Sequence, residues 1–171
     1  MPRISTAQLR KESEELSRAL VKALSERKMK ITMAESCTAG LLSGTFCSAP
    51  GASGVFDGAL VSYANRIKET LLGVSDATLA SVGAVSAACA EQMARGAAKL
   101  FGADVALSVT GIAGPGGGTP EKPVGTVFIC CYCRGNAEVR RFCFEGNRAA
   151  VRAASVCAAL RLAAERLNVE Y

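Results

Sequence analysis

The sequence predicts an α/β protein, a single layered α/β/α domain over residues 1–171 whose mixed sheet includes a C-terminal β-hairpin. Segments that favour strands alternate with segments of helical periodicity, which is typical of layered α/β folds. Two strand-like segments near the C-terminus are separated only by the polar residues 134–136, as in a β-hairpin, which adds antiparallel pairs to a parallel sheet. Half of the residues are apolar, which is enough for a substantial core.

The first third of the chain predicts a helix, a strand and a second helix. Ser5 and Gln8 have the spacing of a capping box, and leucines then recur at helical intervals to about Arg27. The stretch KITMA predicts a short strand. Thr38 is then placed to cap a second helix over residues 39–48, which the glycines of GASG end.

The middle third predicts a strand followed by three helices. VFDGALVSYA, residues 55–64, favours a strand, and NRIKETLLGV changes to helical periodicity, so a strand-to-helix junction lies near Tyr63. Ser75 and Ser86 are predicted N-caps of a short helix and of a longer one that reaches about Phe101.

The last third predicts three strands and a final helix. ADVALSVTGIAG is an apolar strand that ends in glycine, and PVGTVFICCYC and AEVRRFCFE form the predicted hairpin. Asn147 is the expected N-cap of a helix from Arg148 to about Leu167. We find no internal repeat and no linker that would divide the chain.

Composition excludes several classes of protein. The net charge is +5, but the basic residues are scattered, so nucleic-acid binding is not expected. The N-terminal segment is polar and no apolar run approaches the roughly 20 residues of a membrane span, which predicts a cytoplasmic protein without a membrane partner. The eight cysteines are then expected to be reduced. Alanine-rich helical segments at 94–100 and 153–164 suggest packing against a second copy, so we expect a homodimer.

The stretch CCYC, residues 130–133, has two interpretations. Its spacing resembles a metal knuckle, but the chain has no histidine and no second paired CxxC. A buried strand that uses cysteine as a small apolar residue is the favoured interpretation, and no metal site is predicted.

The absence of histidine restricts the chemistry that the chain can perform. It removes Ser-His-Asp triads and Cys-His dyads, so a base must be Lys, Asp, Glu, Tyr or the N-terminal amine. An enclosed lysine can activate a serine, and two segments offer one. Ser25 and Lys28 match S-x-x-K but lie among charges with neither SDN nor KTG following. The second segment is SYANRIK, in which Tyr63 and Lys68 can face the same site. The alternative is that Tyr63 is an ordinary aromatic residue at a strand end and Lys68 an ordinary lysine on a helix surface.

Three segments have the character of anion sites. TGIAGPGGGTPEKP, residues 110–123, follows an apolar strand and allows backbone N–H groups to approach a ligand, although it matches no nucleotide-binding motif and an exposed loop is the alternative. The helix start at residues 38–40 and the N-cap turn before Arg148 present free N–H groups and a positive dipole.

Five stretches together resemble the CinA C-terminal domain family in order and approximate spacing. They are AESCTAGLL, SYANRIKETLLGV, GAVS, SVTGIAGPGGGTPEKPVGTV and FEGNRAAVR. The resemblance covers about residues 5–168, and the AESCT and GIAGPxGG blocks are specific in combination. One departure is Ala39, which stands where the family pattern often has glycine.

This resemblance implies an activity, because stand-alone members of the family are nicotinamide-nucleotide amidohydrolases. They hydrolyse the carboxamide of nicotinamide mononucleotide to nicotinate mononucleotide and ammonia, in pyridine nucleotide recycling, without a metal or cofactor. The family's nucleophile, general base and assisting hydroxyl fall on Ser36, Lys68 and Tyr63. Backbone N–H groups at the helix start after Ser36 are expected to hold the oxyanion. The residues expected to line the substrate are Thr38, Thr110, Gly111, Gly114, Gly116, Gly117 and Arg148, the last as a phosphate partner.

Two other functions remain open from the sequence. The same anion-binding segments suit a nucleotide-binding module that acts through protein partners without turnover, as the family's association with competence and damage suggests. The second open function is nucleophilic catalysis by the Cys37 thiol, since thiols are better nucleophiles than hydroxyls. Only one of the adjacent residues Ser36 and Cys37 can face the site, and we expect it to be Ser36.

Overall fold

The computed structural model describes residues 5–171, in which five strands form one mixed sheet. The strands are β1 (Ile31–Glu35), β2 (Phe56–Val61), β3 (Val105–Gly111), β4 (Thr126–Cys133) and β5 (Asn136–Cys143). Their order across the sheet is β2-β1-β3-β4-β5. Strand β1 pairs in parallel with both β2 and β3. Strand β4 pairs antiparallel with both β3 and β5. The predicted mixed sheet and its C-terminal hairpin are therefore confirmed.

Six helices cover the two faces of this sheet. They are α1 (Thr6–Glu26), α2 (Leu41–Cys47), α3 (Asn65–Leu72), α4 (Asp76–Ser81), α5 (Ala87–Phe101) and α6 (Arg148–Arg166). One apolar core lies between the sheet and α1, α2 and α6, and a second lies between the sheet and α3, α4 and α5. The α/β/α layering is thus confirmed. Within residues 5–171, no helix is both long and apolar enough to cross a bilayer.

Side-chain caps begin four of the helices as the sequence predicts. The Gln8 N–H donates to Ser5 Oγ and the Ser5 N–H donates to Gln8 Oε1, which completes the capping box. Ser75, Ser86 and Asn147 each accept a backbone N–H at the start of α4, α5 and α6. These bonds satisfy N–H groups that a helix cannot pair internally.

The second helix differs from its prediction in both its start and its cap. It begins at Leu41, its N-cap is Gly40, and Thr38 does not cap it. Ala39 and Gly40 have φ angles of 48° and 88°, so two successive left-handed residues delay the helix. An L residue in this region costs about 1 kcal/mol or more, so the surrounding contacts have to enforce the turn.

The connections after β1 and β2 diverge to opposite faces of the sheet, an arrangement that places a crevice at the carboxyl ends of the strands in open α/β sheets. The chain leaves β1 toward α2 on one face of the sheet, whereas it leaves β2 toward α3 on the other face. Ligands of open α/β sheets bind where neighbouring strands diverge in this way. The fold therefore places the residues that follow these two strands at a natural site.

Close packing of α3 against α5 depends on Gly96. A Cβ at Gly96 would lie 1.9 Å from the Leu72 carbonyl oxygen, whereas one at Gly44 would meet nothing within 4 Å. We expect Gly96→Ala to lower the free energy of unfolding by about 1–3 kcal/mol, because backbone must move to admit the methyl group. Gly44→Ala, the matched control inside α2, is expected to be neutral or to stabilise by up to about 1 kcal/mol. Urea unfolding measures both, and equal effects would contradict the packing argument.

Candidate active site

The structure brings Ser36 and Lys68 together at the carboxyl ends of β1 and β2. Ser36 directly follows β1, and its N–H donates to the Val109 carbonyl of β3 at 2.9 Å. Lys68 lies on the first turns of α3, and its Nζ is 3.2 Å from Ser36 Oγ. Ser36 is half-buried and so remains reachable from the crevice. The Ser36 hydroxyl and the Lys68 amine are thus within hydrogen-bonding distance, as a serine nucleophile and its base would have to be.

The Lys68 side chain is enclosed, with only 1% of its surface exposed. Besides Ser36, its Nζ contacts the carbonyl oxygens of Ser62 at 2.6 Å and Tyr63 at 3.4 Å. A neutral amine has two N–H groups and one lone pair, which matches two carbonyl acceptors and one hydroxyl donor. The same three partners also accept from an ammonium, so Lys68 can gain or lose a proton without rearrangement.

Burial lowers the pKa of Lys68, because the charged form loses its hydration. Ionised thiolates at Cys89 and Cys37 would oppose this shift. Burial raises the pKa of both thiols, that of Cys37 to about 11, so near neutral pH they carry no charge. No carboxylate among residues 5–171 forms an ion pair with Lys68. Within residues 5–171, no ion pair therefore offsets the effect of burial on this amine.

Tyr63 lies beside the pair, but its hydroxyl bonds elsewhere. The residue is 61% exposed, and its hydroxyl accepts a hydrogen bond from Arg148 Nη2 at 3.2 Å. Its carbonyl, not its hydroxyl, contacts Lys68. An assisting role for the hydroxyl requires Tyr63 to turn from Arg148 toward the nucleophile.

Arg148 links three segments around the crevice. Its Nη1 donates to the Gly114 carbonyl at 2.9 Å while its Nη2 donates to Tyr63. One turn later, Arg152 Nη2 donates to the Thr38 carbonyl at 2.5 Å. In the described part of the chain neither guanidinium has a carboxylate partner. The wall of the crevice is thus positively charged, which suits an anionic group.

The glycine-rich loop after β3 is held in part by packing. A Cβ at Gly111 would lie 2.7 Å from Val127 Cγ2, and one at Gly114 would lie 2.6 Å from Val124 Cγ1. Gly114 also precedes a cis proline. These two glycines therefore permit close packing against Val127 and Val124, which is a structural role independent of any contact with a ligand.

Other predicted site residues in this region differ in exposure. Gly116 and Gly117 are exposed, and a Cβ at Gly116 would meet nothing within 4 Å. Thr110 is buried, and its hydroxyl donates to the Ala84 carbonyl at 2.8 Å, so it ties β3 to the segment before α5. Thr38 is fully buried, and its Oγ1 has no hydrogen-bond partner among the described residues.

Sequence reasoning missed Glu35, the last residue of β1. Its carboxylate is completely buried and accepts the N–H groups of Gly40, Leu42 and Ser43 at 2.8–3.0 Å. The Ser43 hydroxyl also donates to it. Of the predicted anion site at residues 38–40, the Gly40 N–H is therefore taken by Glu35, as are the N–H groups of Leu42 and Ser43 in the first turn of α2. The sequence contained one signal for this role: Glu35 is an acid shortly before a predicted helix start, where the helix dipole favours a negative charge.

The cysteines form no recognisable metal centre. In residues 5–171, no three His, Cys, Asp or Glu side chains are grouped as metal ligands. Cys130 and Cys131 are buried in β4, and burial raises the pKa of each to about 12, so their interpretation as small apolar residues is confirmed. Cys37 is buried beside Ser36.

Comparison with known proteins identifies the family. The model of the CinA C-terminal domain matches residues 13–167. The chain belongs to the CinA C-terminal domain family. Among curated relatives, a CinA-like protein of Thermotoga maritima is 46% identical over 147 residues, and one of Geobacter metallireducens is 43% identical over 156 residues. These matches cover 86% and 91% of the chain but only 36% and 38% of the relatives.

Solved CinA structures share the fold over nearly their whole length. The competence/damage inducible protein CihA from Agrobacterium tumefaciens is 40% identical, with a TM-score of 0.89 over 92% of this chain and 96% of that one. A CinA superfamily protein from Klebsiella pneumoniae is 36% identical, with a TM-score of 0.88 over 91% and 98% of the two chains. The CinA C-terminal fold is therefore established for this chain.

Burial predicts which thiols of this CinA domain react. Because its pKa is about 11 and it is enclosed, Cys37 is expected to resist iodoacetamide at pH 7.5 in the native protein. The exposed Cys47 and Cys143 are expected to be alkylated first. Mass spectrometry of peptides after timed alkylation measures each site. Alkylation of Cys37 as fast as Cys143 would contradict this assignment and favour thiol chemistry at the site.

Proposed function

We propose that this CinA domain hydrolyses the carboxamide of nicotinamide mononucleotide to nicotinate mononucleotide and ammonia, with Ser36 as nucleophile and Lys68 as general base. One observation carries the proposal: a buried amine lies 3.2 Å from a half-buried serine hydroxyl in a chain without histidine. The family resemblance supplies the substrate, and the geometry supports the reaction class, acyl transfer.

In the proposed first step, the Ser36 hydroxyl attacks the carboxamide carbon and its proton passes to the neutral Lys68 amine. Collapse of the tetrahedral intermediate breaks the carbon–nitrogen bond, and Lys68 returns the proton to the departing ammonia. Water then adds to the acyl-enzyme, with Lys68 taking one of its protons and returning it to Ser36. The products are the free carboxylate and the regenerated enzyme.

The charge of the crevice supports a substrate that carries phosphate. Arg148 has no acidic partner among residues 5–171, and a guanidinium can bind phosphate through two parallel hydrogen bonds. Gly116 and Gly117 leave the exposed part of the loop open next to Arg148's partner Gly114. We assign phosphate binding to Arg148 and assistance in proton transfer to Tyr63 once its hydroxyl leaves Arg148.

Ammonia release tests the two catalytic roles. We expect Ser36→Ala to lower kcat by about 10³-fold or more, and Lys68→Met by about 10²- to 10⁴-fold, because each removes a reacting group. The matched controls Ser81→Ala and Lys99→Met change exposed residues of the same types on α4 and α5 and should keep the wild-type rate. Ammonia release by Ser36→Ala at the wild-type rate would contradict the nucleophile. Binding of the nucleotide by the wild type without ammonia would instead favour the non-catalytic nucleotide-binding module.

The pH dependence tests the state of Lys68. The base acts when neutral, so kcat/KM should rise with pH as Lys68 loses its proton. Because burial lowers its pKa, the midpoint should fall below the ordinary lysine value of about 10.4. A midpoint at the ordinary value would contradict an enclosed catalytic lysine.

Substrate analogues test the role of Arg148. We expect Arg148→Gln to raise KM for nicotinamide mononucleotide by about tenfold or more, since charge-assisted bonds to phosphate are lost. For nicotinamide riboside, which lacks the phosphate, wild type and variant should have KM values within about twofold. Steady-state kinetics on both compounds gives the comparison. An equal rise for both compounds would assign Arg148 to the support of the loop and not to phosphate.

A further inference from the structure

Glu35 is an acid without a basic partner in the described part of the chain. Its side chain has 0% exposure, and no Lys or Arg among residues 5–171 forms an ion pair with it. A buried carboxylate needs strong hydrogen bonds in place of water. Here one oxygen accepts the N–H groups of Gly40 and Leu42, each at 3.0 Å, and the other accepts the N–H and hydroxyl of Ser43.

These bonds determine which N–H groups near the nucleophile are free. The N–H of Ala39 donates to the Ser36 carbonyl, that of Leu41 donates to the Thr38 carbonyl, and that of Ser36 donates to β3. Glu35 takes the donors at the start of α2. In the described part of the chain, the N–H groups of Cys37 and Thr38 are the donors of this turn that bond to no other residue. They directly follow the nucleophile in sequence.

Glu35 also connects the nucleophile to the base through its own backbone. The Ser62 N–H donates to the Glu35 carbonyl at 2.7 Å, and the Ser62 hydroxyl donates to it at 3.3 Å. The Ser62 carbonyl in turn accepts from Lys68 Nζ. One residue therefore anchors the turn that carries Ser36 and the strand end that holds the base.

We propose that Glu35 is a positioning residue: its buried carboxylate holds the turn of residues 36–40 so that Ser36 faces Lys68 and the N–H groups of Cys37 and Thr38 form the oxyanion site. This inference rests on the proposed acyl-transfer function. This oxyanion site replaces the one expected at the start of α2, because the N–H groups of Gly40, Leu42 and Ser43 already bond to Glu35. Two backbone donors beside the attacking oxygen are the arrangement that stabilises a tetrahedral intermediate.

Glu35→Gln is the decisive variant. An amide has the same shape but presents an NH₂ group, so at one end it faces the backbone N–H donors that the carboxylate accepts. The turn should shift, and a displacement of about 1 Å at a reacting atom costs about 10²-fold in rate. We expect kcat for ammonia release to fall about 10²-fold with KM changed less than about threefold.

Asp104→Asn is the matched control. The Asp104 carboxylate also accepts a backbone N–H, that of Lys30 at 2.9 Å, but at the opposite end of β1. We expect this variant to keep the wild-type kcat even where it lowers stability as much as Glu35→Gln. If both variants lose kcat in proportion to stability, or if Glu35→Gln keeps the wild-type kcat, the positioning role is overturned.

A second readout separates this inference from the choice of substrate. A fluorophosphonate labels an activated serine: the serine oxygen bonds to phosphorus, its proton passes to Lys68, fluoride leaves, and the phosphoryl oxygen occupies the oxyanion site. We expect wild type to be labelled at Ser36 and Glu35→Gln at least about tenfold more slowly, with Ser36→Ala as the blank. Labelling without hydrolysis of nicotinamide mononucleotide would overturn the substrate alone. Wild type that is neither labelled nor active would overturn both proposals.

If Glu35→Gln does not fold, the milder variant Ser43→Ala tests the same positioning role. Ser43→Ala removes one of the four hydrogen bonds to the carboxylate and leaves the backbone bonds in place. We expect it to fold and to be labelled at Ser36 about two- to fivefold more slowly. Labelling at the wild-type rate would count against the positioning role.

Discussion

The removal of the Lys68 amine from water is the constraint on which the site depends. A lysine on a helix face normally keeps its ammonium hydrated, and each unit by which burial lowers its pKa corresponds to about 1.4 kcal/mol of lost preference for the charged form. The fold encloses this one with the thiols of Cys37 and Cys89 nearby, and these stay neutral because burial raises their pKa. A carboxylate in the same place would stabilise the ammonium and raise the pKa of Lys68, so that less of the neutral amine would be present near neutral pH.

The buried acid and the buried amine of this region bond to the main chain and not to each other. Glu35 and Lys68 are both enclosed near the ends of adjacent strands, yet they do not pair. Glu35 satisfies backbone N–H groups, and Lys68 contacts backbone carbonyls and the nucleophile. Each charge-bearing group is thus matched to main-chain dipoles of the appropriate sign. Direct pairing would have fixed both in their charged forms, which suits stability but not proton transfer.

Much of the fold was predictable because local signals and tertiary structure agree. The capping residues Ser5, Ser86 and Asn147 act within their own helices, so short-range spacing was sufficient to find them. The start of α2 was not predictable, because its N-cap is Gly40 and its first N–H groups bond to the side chain of Glu35, which precedes a turn with two left-handed residues. A pattern that looks for a cap immediately before the helix finds Thr38 instead.

The residues Ser36, Lys68 and Tyr63 were named through the family resemblance, whereas their contacts were not predictable. Helical periodicity leaves Lys68 one step from the apolar stripe of α3, so the residues alone favoured a surface lysine. Its burial follows from where α3 meets the ends of β1 and β2, which is a property of the assembled sheet. The partners of Lys68 are two backbone carbonyls, which exist at every residue and leave no sequence signal.

In the reaction we propose, Arg148 couples substrate binding to the position of Tyr63. Its two terminal nitrogens bond to the Gly114 carbonyl and the Tyr63 hydroxyl. A phosphate that binds both nitrogens in parallel replaces these weaker neutral acceptors, since charge-assisted bonds are about twice as strong. Tyr63 then loses its partner and is free to turn toward Ser36 and Lys68. On this argument the same phosphate that secures the substrate also releases the hydroxyl that assists proton transfer, so a substrate without phosphate would leave Tyr63 bound to Arg148.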